Sequence, residues 1–103
     1  MSENELLRLS AKAIGFELEY WRGSDAFYYD DPDSGREQWD PLSDDGQALR
    51  LAIKLGICIV FMEECDSVVA EHSAHGTMIV EAMDDYGTRR AIVRVAAEIG
   101  SRP

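Results

Sequence analysis

The run Trp39-Asp40-Pro41-Leu42-Ser43-Asp44-Asp45-Gly46, leading into Gln47-Ala48-Leu49-Arg50-Leu51-Ala52-Ile53-Lys54-Leu55-Gly56, constrains the fold more than any other part of this chain. It reads as an anchored entry into an amphipathic helix. An aromatic plug comes first, then a proline that straightens the approach, then side chains that cap a helix start. Asp44 and Asp45 fall in the first turn, where unpaired amide groups and the helix dipole favour a carboxylate by roughly 0.3–1 kcal/mol each. Ala48, Leu49, Leu51, Ala52, Ile53 and Leu55 supply the apolar side, with Gln47, Arg50 and Lys54 as the exposed stripe. Gly56 ends the helix.

Two more helices follow from the same periodicity. Residues 4–14 place Leu6, Leu7, Leu9, Ala11, Ala13 and Ile14 on a wide apolar face, with Gly15 as the stop. Residues 86–99 set Ala91, Ile92, Val95, Ala96 and Ile99 toward a core and Arg90, Arg94 and Glu98 toward water. Between the helices the period changes to that of strands. Phe16, Leu18 and Tyr20 alternate with Glu17, Glu19 and Trp21; Ala26–Tyr29 and Arg36–Trp39 form a hairpin around Asp30-Asp31-Pro32-Asp33-Ser34-Gly35. The later strands are Ile57–Met62, Ser67–His72 and Thr77–Met83. Their short turns imply an antiparallel meander, because parallel neighbours need a crossover of about a dozen residues.

Ile57-Cys58-Ile59-Val60-Phe61-Met62 is apolar on both faces, the pattern of a central strand covered above and below. The order is therefore α-β-β-β-α-β-β-β-α, an α+β fold with a mainly antiparallel sheet and helices packed on both faces. A chain of 103 residues makes one domain of this, since halving it leaves too little core for each part.

Charge gives the functional lead. Twenty carboxylates against ten basic residues leave a net charge of −10, which argues against direct contact with a nucleic-acid backbone or an anionic membrane. The opposite partner suits it, a protein with a basic surface, although acidity also serves plain solubility. The carboxylates crowd strands and turns, and Glu17, Glu19, Asp30, Asp31, Asp33, Glu63, Glu64 and Asp66 are the candidate contact residues. Trp21 shares a strand face with Glu17 and Glu19, which makes it a contact anchor if exposed and an edge residue if the first helix covers it.

Catalytic and metal chemistry have weaker signals. Cys58, Cys65, His72 and His75 are the residue types of a zinc site, but six residues separate the cysteines and six separate Cys65 from His72. A core thiol at Cys58 and two hairpin histidines account for the same residues. Asp30, Asp31 and Asp33 lack the alternating acceptors and distal Glu of a calcium loop. Asp44 and Asp45 are explained by capping, and no serine, cysteine or glycine-loop signature of catalysis is present. Cys65 and His72 meeting across a hairpin, with acidic neighbours, is the one hydrolase arrangement on offer.

The helix entry Trp39-x-Pro41-Leu42-x-Asp44-Asp45-Gly46-x-Ala48-Leu49-x-Leu51-Ala52-x-x-Leu55 resembles the small phage and prophage proteins of the phage ABA-sandwich domain family. Arg89–Gly100 looks like that family's last helix, and Glu5-Leu6-Leu7-x-Leu9-x-Ala11-x-Ala13-x-Gly15 fits its first, so the likeness spans nearly the whole chain; residues 57–83 match only in being strand-like. The resemblance implies helices on both sides of a sheet and brings no established activity with it. The expectation is a non-enzymatic accessory protein of the bacterial host cytoplasm, without cofactor, that binds another protein. Its sharper form is an inhibitor of a host nucleic-acid-binding defence machine whose carboxylates stand in for phosphates. A homodimer through an exposed strand edge is a further expectation.

Overall fold

The computed structural model describes residues 1–102. Three helices and six antiparallel strands follow in the order read from the sequence. Helix α1 (Glu3–Ala13) leads to β1 (Glu19–Trp21), β2 (Ala26–Asp31) and β3 (Gly35–Gln38). Helix α2 (Asp45–Leu55) leads to β4 (Cys58–Met62), β5 (Ser67–His72) and β6 (Thr77–Ala82), and α3 (Asp85–Gly100) closes the order.

The helix starts are built as the capping signals require. Ser2, Asp44 and Asp84 each hold their side chain as acceptor for a first-turn amide, Glu5, Gln47 and Gly87 respectively. Gly56 ends α2 in a left-handed conformation at φ 73°, and its N–H donates to Ala52 C=O at 2.9 Å. Trp39 is fully buried ahead of α2: its Nε1–H donates to Leu7 C=O at 3.0 Å, and Phe16 and Tyr29 meet its ring edge-on. The plug read from the sequence thus fastens the approach to α2 onto α1.

The strands form two three-stranded sheets, β1-β2-β3 and β4-β5-β6. The middle of the molecule is α3, not the Ile57–Met62 segment. Gly87, Ala91, Ile92, Val93, Val95, Ala96, Ala97 and Gly100 of α3 are all buried, because α1, α2, β5 and β6 pack around it. A helix with a wide apolar side belongs against the core, and Arg90, Arg94 and Glu98 form the charged stripe that α3 keeps. Arg90 and Arg94, expected to face water, are half-buried and both clasp Glu81 of β6, at 3.1 and 2.7 Å. Helices α1 and α3 run side by side in the same direction, with Tyr86 donating to Glu3 at their starts and Gly100 seated on α1 near Leu9 at their ends.

The double covering expected for Ile57–Met62 is absent. β4 is an edge strand, and Cys58, Val60, Phe61 and Met62 are exposed while only Ile57 is buried. The central strand of this sheet is β5, whose Val68 and Ala70 are fully buried against α3. The apolar helix residues Leu49 and Ile53 of α2 are exposed as well, so the exposed side of α2 is wider than Gln47, Arg50 and Lys54.

Two stability measurements check this arrangement. A Cβ at Gly100 would lie 1.9 Å from Leu9 C=O, so Gly100→Ala forces α1 and α3 apart. Urea denaturation is expected to show a loss of about 1–3 kcal/mol, where the same change in an uncrowded helix gains about 1 kcal/mol. Val68→Ala is expected to cost roughly 2 kcal/mol and Val60→Ala under about 0.5 kcal/mol, the reverse of what a buried β4 requires.

Candidate functional site

On β1-β2-β3 the strand register places Glu19, Trp21, Tyr28, Asp30, Arg36 and Gln38 on the outward face. Arg36 organises it. Its guanidinium donates to Glu19 at 2.6 Å and Asp30 at 3.5 Å, and lies over the rings of Trp21 and Tyr28 at 5.2 and 5.7 Å. Glu19 beside it holds the Arg36 guanidinium still more firmly protonated than usual. Trp21 is exposed, on the same face as Glu19, as the alternation predicts. It is already engaged by a cation, however, and the same group pairs closely with Glu19 and more loosely with Asp30.

The Asp30–Asp33 turn is also occupied internally. Asp31 accepts from the backbone N–H of Asp33 at 2.8 Å and of Ser34 at 3.2 Å, and lies 3.9 Å from Arg50. Those two amide bonds hold its carboxyl below the usual aspartate range. Behind the turn, Tyr29 donates to Glu37 at 2.8 Å, and burial followed by that bond raises its phenol. Asp33 and Glu17 form no ion pair among the described residues.

The candidate carboxylates divide between two ends of the molecule. The Asp30–Asp33 turn lies beside Phe16 and Lys54, just after α1 and near the end of α2. Glu63, Glu64 and Asp66 form the β4–β5 turn beside the start of α3, where Met83 N–H donates to Asp66 C=O at 3.1 Å. The length of α3, about 24 Å for its 16 residues, separates the two neighbourhoods. Glu63, Glu64 and Asp66 form no ion pair among the described residues.

Sequence reasoning missed the outward face of β4-β5-β6. Cross-strand register makes three rows of it: Val60, Val69 and Val80; Met62, Ser67 and Ala82; Cys58, Glu71 and Met78. Val80 is 53% exposed and Met78 63%. Strands at about 4.8 Å spacing and residues at about 3.4 Å give this face a plan of roughly 14 by 20 Å, with Glu71 as its one charge. Antiparallel sheets that face water on one side ordinarily place polar residues there. At roughly 280 Å² this face is comparable to the largest apolar patch on an ordinary monomer, a kind of patch that is often functional. Its polar rim is the Glu63-Glu64-Cys65-Asp66 turn of the same hairpin. The signal was in the sequence: Met78, Val80 and Ala82 are apolar at alternate positions, while Glu81 holds a position on the opposite side.

Beside this sheet, α2 and β4 flank an open groove of about 490 Å³, with Leu49 on one wall, Ile59 and Phe61 on the other, and Ile92 and Arg89 of α3 among its lining. Arg89 is held there by Leu42 C=O and Asp45, at 2.7 Å each.

The cysteines and histidines are distributed differently from a zinc or Cys–His site. Cys58 is an exposed thiol of β4 and not a core residue, because β4 is an edge. Cys65 precedes β5 and His72 ends it, so six strand residues, about 20 Å, hold them apart. His72 and His75 do meet, ring edge to ring face at 4.7 Å, with His72 Nδ1 buried and without a partner. Among the described residues no three His, Cys, Asp or Glu side chains are grouped to hold a metal ion. None of the described helices is long and apolar enough to cross a membrane.

Comparison with protein-family models, curated proteins and solved structures finds no match to this chain.

The Asp31 geometry has a pH signature. A depressed folded-state value contributes stability that is fully present above about pH 4 and lost as pH falls through the folded value. Urea denaturation between pH 5 and pH 2 is expected to show wild type losing more stability than Asp31→Asn; parallel curves would remove the two amide bonds as the cause.

Proposed function

We propose that this chain is a small accessory protein that works by binding another protein, through the outward face of β4-β5-β6 and its acidic rim. One observation carries the reading: Val60, Val69, Val80, Met62 and Met78 are gathered on one side of a sheet with nothing packed over them. The partner that fits has an apolar patch bordered by basic residues, which pair with Glu63, Glu64 and Asp66. The chain's net charge of −10 steers such a partner and repels phosphate backbones. The family resemblance of α1, α2 and α3 supports a phage or prophage origin and work in the bacterial cytoplasm.

A host nucleic-acid-binding defence protein is one partner class with the required basic surface. The unpaired carboxylates at the border of the apolar face, which would then replace phosphates, are Glu63, Glu64 and Asp66; Glu17 and Asp33, also unpaired, lie by Phe16 and Asp30 instead. Glu19, Asp30 and Asp31 are spent on Arg36, Arg50 and backbone amides, and form no part of the contact. Recognition is favoured over catalysis by the separation of Cys65 from His72 along β5.

Affinity capture from a bacterial host lysate tests the reading with three variants of unchanged circular dichroism. Val80→Lys is expected to abolish retention of the captured protein. Glu63→Lys with Glu64→Lys is expected to weaken it at least tenfold, with a smaller dependence on salt, and Asp30→Lys to leave it unchanged. Retention that survives Val80→Lys but is lost with Asp30→Lys would move the contact to the first sheet and overturn the assignment.

A further inference from the structure

The outward face of β4-β5-β6 is one exposed surface of this sheet; its open edge is another, with different chemistry. β4 has β5 on one side and no strand on the other. Natural edge strands are protected by shortness, charge, proline, bulges or a covering element. The other three edges have such protection. β1 is three residues long, β3 carries Arg36 and Glu37, and β6 carries Glu81 clasped by Arg90 and Arg94 of α3. β4 has the sequence Cys58-Ile59-Val60-Phe61-Met62, pairs with β5 residue for residue, and contains no charge or proline.

We infer that β4 pairs antiparallel with β4 of a second copy of this chain, joining two three-stranded sheets into one of six strands. The self-complementary apolar register of β4 favours this occupant, and the net charge confines the contact to this strand. Two copies at −10 each repel across most of their surface, and β4 is an uncharged strand on which like can meet like. A twofold axis at Val60 sets Val60 against its own copy, Ile59 against Phe61 of the second copy, and Cys58 against its Met62. Every cross-strand pair in that register is apolar.

The side chains on the inner side of the junction also have somewhere to go. Ile59 and Phe61 share the face of Val68 and Ala70, which looks toward α2 and α3. Phe61 is 58% exposed, and α2 opposite exposes Leu49 and, at 72%, Ile53. A strand added at the β4 edge directs its own Ile59 and Phe61 over those two residues and into the groove between α2 and β4. Five residues of ladder and a few apolar side chains make a small interface, so the dimer belongs to the micromolar, concentration-dependent class. The pairing leaves the outward face bare and doubles it. The partner-binding reading and the dimer can therefore fail separately.

Sedimentation velocity from about 5 to 500 μM tests the pairing, with Val80→Lys as control because it alters only the outward face. Wild type and Val80→Lys are both expected to shift from the 11.5 kDa monomer toward twice that mass, and Phe61→Lys to remain monomeric. In a Cys58→Ser, Cys65→Ser background, Val60→Cys is expected to form a disulfide dimer on mild oxidation, since opposed Cα atoms at about 4.5–5.5 Å lie within disulfide reach. Val80→Cys in that background is expected to stay monomeric. A wild type monomeric at every concentration with no Val60→Cys cross-link overturns the proposal. So does a dimer that Val80→Lys abolishes and Phe61→Lys spares, which is face-to-face sheet packing, and so does a β4 edge that instead takes up a strand from a foreign protein.

Discussion

Everything else in the molecule leans on the close approach that small residues of α3 permit. Gly100 lets α3 meet the backbone of α1 near Leu9 and Ala13, and Gly87 lets it meet Ala82 at the end of β6. Ala91, Ala96 and Ala97 keep the rest of the helix narrow, and all three are fully buried. With α3 as the axis, α1 and α2 lie against it, and β5 and β6 cover it from another side. The second meander packs directly on this helix, and the first is joined to it through α1, where Trp39 donates to Leu7 C=O. Small β meanders are marginal by themselves, and packing against a helix is what gives them a stable face.

Much of this was legible in the sequence. Capping residues and stop glycines placed all three helices within about two residues, and turn residues with period-two alternation placed six strands in order. Trp39 as the plug before α2 was readable because an indole followed by Pro41 and a capping pair has few other uses. The position of β4 was not readable. An unbroken apolar run does not by itself require burial on both sides, and Val60, Phe61 and Met62, like Leu49 and Ile53, are apolar and exposed here. Division into two sheets was equally hidden, since turn lengths decide which neighbours pair and say nothing of whether two meanders join.

The charge reading divides in a similar way. The excess of carboxylates is plain from composition, but their use depends on which arginines fold against them. Arg36 draws Glu19 and Asp30 into a cluster that also covers Trp21, and surface pairs of this kind add at most about 1 kcal/mol each. The β4–β5 turn, as dense in acid as Asp30–Asp33, keeps its carboxylates out of ion pairs among the described residues and sits at the border of the apolar face. Placement matters more here than the number of negative groups.

The burial of α3 has a temporal side. Of the elements in this chain it is the last to leave a ribosome, yet it supplies the surface against which Leu6, Ala11, Val68 and Ala70 are hidden. A growing chain therefore carries the second meander and one side each of α1 and α2 bare until residues 85–100 are free of the exit tunnel, while Phe16, Tyr29 and Trp39 already close over Leu7. Whatever shields a nascent polypeptide has most to cover on β4-β5-β6, because that meander has no partner surface of its own before α3 arrives.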